Sequence, residues 1–274
     1  MMVWPPFPHP ARLLAVIALV LSASGAVAQS SPVRTAEILP GWVDAEGRRI
    51  AALRLELAPG WHTYFRIPGD SGLAPVLDWS ESQNLGQIRA LWPAPQVFEQ
   101  NGFVSFGYLD ELILPLEITP ARPDRPVALM GHLDIGVCRE TCVPASVSVS
   151  AALRGDGADD ARIRRSLAQR AEPAEQAGLS RATCRLEPAH RGATLTLRAT
   201  LPRAGDAEHL IIEPPEGGLR VTSTRSWREG GDLVAEVALR SPHGAPLAFD
   251  RGALAFAVLT GERLISARGC TGAP

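Results

Sequence analysis

Residues 33–153 break into short strand-like runs, each closed by turn residues, and this punctuation is what most limits the fold. Ile50-Ala51-Ala52-Leu53-Arg54-Leu55-Glu56-Leu57 partly alternates apolar with polar, and Pro59-Gly60 ends it as a turn. Residues 112–118 form a short apolar run. Pro115 interrupts it and, lacking the N–H that a ladder needs, predicts an edge strand or a bulge. Val147, Val149 and Ala151 alternate with Ser146, Ser148 and Ser150, the pattern of a strand with one wet face. Short strands with regular punctuation predict a β-sandwich.

Residues 155–178 differ in kind. Asp159 or Asp160 is placed to cap a short helix with Ile163 and Leu167 on one face, stopped near Pro173. Strand patterning then resumes. Leu195, Leu197, Ala199 and Leu201 alternate with Thr194, Thr196, Arg198 and Thr200, and further runs cover 209–213, 219–227, 233–239, 253–259 and 264–267. So many short strands in so short a stretch predict a second small sandwich, joined to the first by a linker that carries the helix.

The N-terminus speaks to compartment. Arg12 precedes the apolar run 13–21, and Ala26-Val27-Ala28 before Gln29 forms an A-x-A site. This predicts a secretory leader cleaved after Ala28. The run is shorter than the ~20 residues of a spanning helix, and no later run is long enough to cross a bilayer. A soluble, exported mature chain is expected, in a compartment where disulfides persist. A net charge of −2 gives no reason to expect nucleic acid or an anionic membrane. All 27 strongly basic residues are Arg, which excludes a Schiff-base or P-loop lysine.

Two motifs invite chemistry. In "PGDSGLAP", residues 68–75, Ser71 has the look of a protease nucleophile. A Ser–His–Asp arrangement of the chymotrypsin kind needs its base and orienter upstream. Only His62 precedes Ser71 in the expected mature chain, so Gly and Asp beside Ser read as turn chemistry.

"GVCRETCVP", residues 136–144, holds two of the four cysteines. Cys138 and Cys142 on one extended strand would lie ~13 Å apart, beyond the ~7 Å that a disulfide tolerates between Cα atoms. They can bond only if Arg139-Glu140-Thr141 reverses the chain, at a hairpin tip or in a helical turn. Such a bond closes a small loop worth about 2 kcal/mol, against about 4.6 kcal/mol for a loop closed by Cys184 and Cys270. The short bond is a weak staple and an apt exchange centre; the long one suits a structural role. Two other readings of the short pair stay open: a mere staple, or a soft Cu(I) site recruiting Met130 and His132.

"GWHTYFRIPGDSG", "WPAPQVFEQNGFVSFGY", "LILPLEI" and "GVCRETCVP" together resemble, in order and spacing, the N-terminal periplasmic domain of the thiol:disulfide interchange protein DsbD and its ScsB-like relatives. The resemblance implies an immunoglobulin-like sandwich whose cysteine pair cycles between dithiol and disulfide without a cofactor or metal. It places the redox pair at Cys138 and Cys142, with Cys142 forming mixed disulfides. It makes Tyr64 a lining residue and offers Phe98 and Phe103 as candidates for a ring capping the site. The resemblance covers about residues 33–153 and has no counterpart for the Cys184–Cys270 half; with the leader and strand patterning read above, the expected organisation is a leader over 1–28, a redox domain over 29–154, a linker over 155–180 and a second β-sandwich domain over 181–274, held by a Cys184–Cys270 bond. The three-residue spacer between the cysteines suits the ScsB-like branch. The 274 residues carry neither the membrane carrier nor the thioredoxin-like domain of DsbD proper. A separate membrane-embedded thiol reductase is therefore the implied donor, and thioredoxin-like or disulfide-isomerase-like periplasmic proteins are the implied acceptors. The expected role is a protein-disulfide reductase component; the rival is a non-enzymatic Cu(I)-binding or scaffold module.

Overall fold

A computed structural model describes residues 1–3, 31–189, 192–213, 220–240, 250–261 and 263–272. The expected leader, including its cleavage site, lies outside the described residues. No helix among the described residues is long and apolar enough to cross a membrane.

The described residues are all-β apart from one short helix. Its first ten strands are β1 (Val33–Val43), β2 (Arg49–Leu57), β3 (His62–Gly69), β4 (Val76–Asp78), β5 (Leu85–Ala90), β6 (Gln96–Gln100), β7 (Phe103–Leu109), β8 (Glu111–Pro120), β9 (Val127–Cys138) and β10 (Cys142–Leu153). They make a four-stranded sheet, β1-β2-β8-β5, facing a six-stranded one, β10-β9-β3-β7-β6 with β4 also paired to β9. The inward residues interleave as the alternation predicts. Leu53, Leu55, Leu114 and Leu116 from one sheet meet Phe65, Phe106, Leu133 and Val137 from the other, all nearly without solvent contact. Each such side chain is worth about 1.5–3 kcal/mol of burial, so this core sets the stacking of the sheets.

Pro115 corrects one expectation. Its strand, β8, is interior, lying between β2 and β5. The proline is tolerated because β5 ends at Ala90, paired with Leu116. At Pro115 the ladder on that side has run out, and only the Pro115 carbonyl is used, accepting from Leu91 N–H at 2.8 Å. Helix α1 (Ala161–Ala168) packs against β8 where β5 is missing. There Ser166 Oγ donates to the Ile113 carbonyl at 2.7 Å. A proline in the middle of a sheet thus occupies a local edge.

Asp160 caps that helix, its side chain accepting from Arg162 N–H. Ile163 is buried among Leu39, Ile50 and Ala52, with Leu167 packed beside them. The remaining strands are β11 (Glu172–Pro173), β12 (Arg181–Ala189), β13 (Gly192–Thr200), β14 (His209–Glu213), β15 (Arg220–Glu229), β16 (Asp232–Arg240), β17 (Ala255–Thr260), β18 (Arg263–Arg268) and β19 (Thr271–Gly272). They form sheets β11-β18-β17-β14 and β15-β16-β13-β12-β19 around a second core.

In the segment read as a linker, the helix covers the first sandwich, and β11 joins the second by pairing with β18. Ile211, Ala257, Leu259 and Leu264 of the second sandwich belong to the apolar cluster of the first. Residues 31–274 accordingly form one compact unit.

Candidate redox site

β9 ends at Cys138, β10 begins at Cys142, and the two cysteines face each other across the hairpin. Of the two chain reversals open to the sequence, the structure uses the hairpin tip. The Cα atoms are 4.1 Å apart and the sulfurs are bonded. Arg139 N–H reaches the Thr141 carbonyl at 3.4 Å across the three-residue loop.

The sheet carries this pair into a row. Cys142, Cys138, His62 and Leu109 are successive cross-strand partners on β10, β9, β3 and β7, so all four side chains stand on the outer face of the six-stranded sheet. Their exposure is unequal. Cys138 is 2 % exposed, whereas Cys142, starting the edge strand, is open to solvent. An incoming thiolate must approach along the S–S axis from the free side, so Cys142 is the sulfur it reaches.

Tyr64, two residues beyond His62 on β3, leans over both sulfurs. Its hydroxyl lies 2.8 Å from Cys138 Sγ and 3.2 Å from Cys142 Sγ. Bonded sulfurs have no proton, so the hydroxyl is the donor. Burial pushes the Tyr64 phenol up, which keeps that donor protonated. Room for the ring comes from two glycines. A Cβ at Gly136 would stand 3.1 Å from Tyr64 Cδ2, and one at Gly72 would stand 2.7 Å from Cδ1. Gly72 belongs to "PGDSGLAP", so the serine of that motif sits on a turn packed over the tyrosine, in keeping with the turn reading.

Tyr64→Phe keeps the ring and removes the donor. A hydrogen bond to a charged sulfur is worth about 1.5–3 kcal/mol. Alkylation of the reduced pair by iodoacetamide at neutral pH is expected to slow roughly tenfold, read by mass spectrometry. An unchanged rate would remove Tyr64 from the site.

The two candidate rings part company. Phe98 stacks on His62, with centroids 4.3 Å apart and planes at 15°. Phe103 is 52 % exposed. Between them Asn101 (φ 53°) and Gly102 (φ 81°) make the two-residue turn of the β6–β7 hairpin, the left-handed pair that such turns favour. The segment between the two rings is therefore a tight hairpin, and of the two it is Phe98 that lies against His62.

His62 is the site residue that the sequence reading used only as a failed protease base. Burial pushes its imidazole down, favouring the neutral form, and its ring meets Tyr64 edge-on at 5.4 Å. Period-two spacing was the available signal: if Tyr64 lines the site, His62 shares its face. Arg139 lies with its guanidinium 5.7 Å from the Trp61 ring centroid.

The Cu(I) grouping does not assemble. Cys138, His132 and Met130 all lie on β9. At about 3.3 Å per residue, His132 is roughly 20 Å from Cys138 and Met130 farther still. His132 Nδ1 instead meets Ser148 Oγ at 3.2 Å. Among the described residues no three His, Cys, Asp or Glu side chains cluster as a metal site.

In the second sandwich Cys184 and Cys270 are bonded, with Cα atoms 5.7 Å apart. Cys184 lies on β12, and Cys270 directly precedes β19, which runs parallel beside β12.

Comparison with known proteins bears on this geometry. Residues 31–153 match the family described as thiol:disulfide interchange protein DsbD, N-terminal. No curated protein matches the chain in sequence. Among solved structures, the N-terminal periplasmic domain of ScsB from Proteus mirabilis is similar, with a TM-score of 0.64 and 22 % identity over 88 % of this chain and 92 % of that one. Coverage that wide takes in both sandwiches, so the tandem fold is shared. The matched segment carries the hairpin disulfide and the tyrosine above it, so the first sandwich with its redox-site geometry is the part of the chain that is similar to the DsbD N-terminal family.

Proposed function

We propose that this protein is a periplasmic electron carrier that moves reducing equivalents through Cys138 and Cys142. A separate membrane-embedded thiol reductase is the donor, and oxidised thioredoxin-like or isomerase-like proteins are the acceptors. The family match over residues 31–153 and the Cys138–Cys142 disulfide within it support a thiol–disulfide interchange module in the first sandwich. The observation that carries the finer reading is the pairing of an exposed Cys142 with a buried Cys138 beneath a tyrosine donor. We take 29–154 as the redox domain and 181–274 as a second domain, with Cys184–Cys270 as its structural bond.

Reduction runs in two exchanges. A donor thiolate attacks Cys142 Sγ, the S–S bond breaks, and its electron pair leaves on Cys138 Sγ. Tyr64 Oη stands 2.8 Å from that sulfur and can donate to it as charge develops. The donor's second thiolate then attacks its own mixed-disulfide sulfur and releases Cys142 as thiolate, so the donor leaves oxidised by two electrons. With a client the steps reverse. Cys142 thiolate attacks the client disulfide, expelling one client sulfur. Cys138 thiolate then attacks Cys142 Sγ and expels the other, and protons from water complete the client dithiol. Phe98 over His62 is the cap in this scheme, limiting access from the β7 side while leaving Cys142 open.

Trapping tests the assignment. Cys138→Ala leaves Cys142 without its resolving partner, so mixed disulfides should accumulate in an oxidising periplasm and dissolve under dithiothreitol. Cys142→Ala should trap none. Equal trapping by both variants, or none by Cys138→Ala, would overturn the reading.

A further inference from the structure

Between Tyr64 and Gly69 the β3–β7 register slips: residues 65–68 on β3 stand against one residue on β7. The ladder is interrupted over these residues and resumes at Gly69, opposite Ser105. Asp70, the next residue, extends it. Its N–H donates to the Val104 carbonyl at 2.8 Å. One carboxylate oxygen accepts from Val104 N–H at 3.1 Å. The other accepts from Thr224 N–H, on β15 of the second sandwich, at 2.9 Å. A carboxylate suits this position because it offers two charged acceptors and needs no donor.

Two routes lead from Asp70 to the disulfide, one along its own chain and one through Val104. Two residues on, Gly72 lies against the Tyr64 ring, and Leu73 lies against Gly136, two residues before Cys138. Val104 precedes Ser105, the cross-strand partner of Phe98, and Phe98 stacks on His62. Beside the aspartate, a cavity of about 450 Å³ is lined by Ile67, Leu73, Phe106, Ile211 and Val221. Asp70 and Thr224 both line it, so their bond spans the junction at this point. Arg66 and Glu213 pair across the same junction at 2.5 Å.

We propose that Asp70 is a positioning residue, through which the second sandwich holds the 70–74 segment and the β6–β7 hairpin over Tyr64 and the Cys138–Cys142 bond. The inference rests on reading that bond as the redox centre. It gives the second sandwich a task in the chemistry of the first.

The test uses the full mature chain. Wild type, Asp70→Ala, Asp70→Asn and Glu213→Gln are equilibrated in glutathione redox buffers, and the Cys138–Cys142 state is read by alkylation and mass spectrometry. Alkylation rates of the reduced pair and thermal midpoints are measured alongside. Asp70→Ala should shift the equilibrium with glutathione roughly fivefold or more and speed alkylation. Asp70→Asn, which keeps one acceptor oxygen, should shift it less, and Glu213→Gln should leave both within about twofold. If Asp70→Ala does not fold, Asp70→Asn must show the shift alone. Asp70 variants that match wild type, or a Glu213→Gln shift as large as theirs, would overturn the proposal. A wild-type pair that does not exchange with glutathione would instead defeat the redox reading beneath it.

Discussion

Replacing Cys184 and Cys270 together with alanine is expected to cost about 4.6 kcal/mol of stability, the largest loss available from any one covalent change in this chain. The bond joins residues 86 apart, so its removal frees a long loop in the unfolded state. It also leaves gaps in the second core, where Cys184 is 1 % and Cys270 9 % exposed. The short β19 pairs with β12 through Thr271 and Gly272 alone, too little ladder to hold by itself. Urea unfolding followed by circular dichroism gives the comparison. Cys138→Ala with Cys142→Ala should cost only about 2 kcal/mol, because that loop is small and the hairpin is already closed by its own ladder. The long-loop variant should keep Cys138–Cys142 exchange at low denaturant. Equal losses from the two pairs would contradict the division between a structural and a working bond.

That the two pairings could be anticipated comes down to local geometry. A separation of four residues allows only a hairpin tip or a helical turn, and the hairpin leaves Cys142 exposed on the edge strand. The strands of the second sandwich were legible for a similar reason. His209–Glu213 is bounded where its apolar centre meets polar ends, and Leu210, Ile211 and Ile212 are buried. Asp160 could be read as a cap because an N-cap needs only one side chain near its own backbone.

What escaped the sequence was long-range registry. Pro115 predicts an edge, and the edge exists, but only because β5 stops short of it. No property of residues 112–118 reveals where β5 ends. His62 enters the site because β3 lies beside β9, and Asp70 acquires its role because Thr224 of another sandwich comes within 2.9 Å. Neither neighbour is written in the local pattern. Phe98 and Phe103 flank one turn and look equivalent in sequence; only the direction of the hairpin relative to β3 separates them.

Gly107→Ala is expected to damage stability and reactivity together, because here the close approach involves main chain alone. Gly107 pairs with Tyr64 on one side and Gln96 on the other. A Cβ at Gly107 would lie 2.0 Å from the Thr63 carbonyl oxygen and 3.3 Å from Tyr64 Cα. No side-chain rotation relieves a clash with a carbonyl, so β3 and β7 must separate. Overpacking of a well-packed interior costs about 1–3 kcal/mol, and a backbone clash belongs at or above the top of that range. The displaced strand carries both His62 and Tyr64, and Thr63 Oγ1 on it donates to the Gly136 carbonyl at 3.0 Å. A shift of β3 therefore draws the Tyr64 hydroxyl away from both sulfurs. Alkylation of the reduced pair should slow at least as much as in Tyr64→Phe, and the double variant should react no more slowly than Gly107→Ala alone. That non-additivity distinguishes a lost donor from general loosening, which would expose the thiols and speed the reaction. A Gly107→Ala protein with wild-type stability and wild-type alkylation would show that β3 does not hold Tyr64 in place.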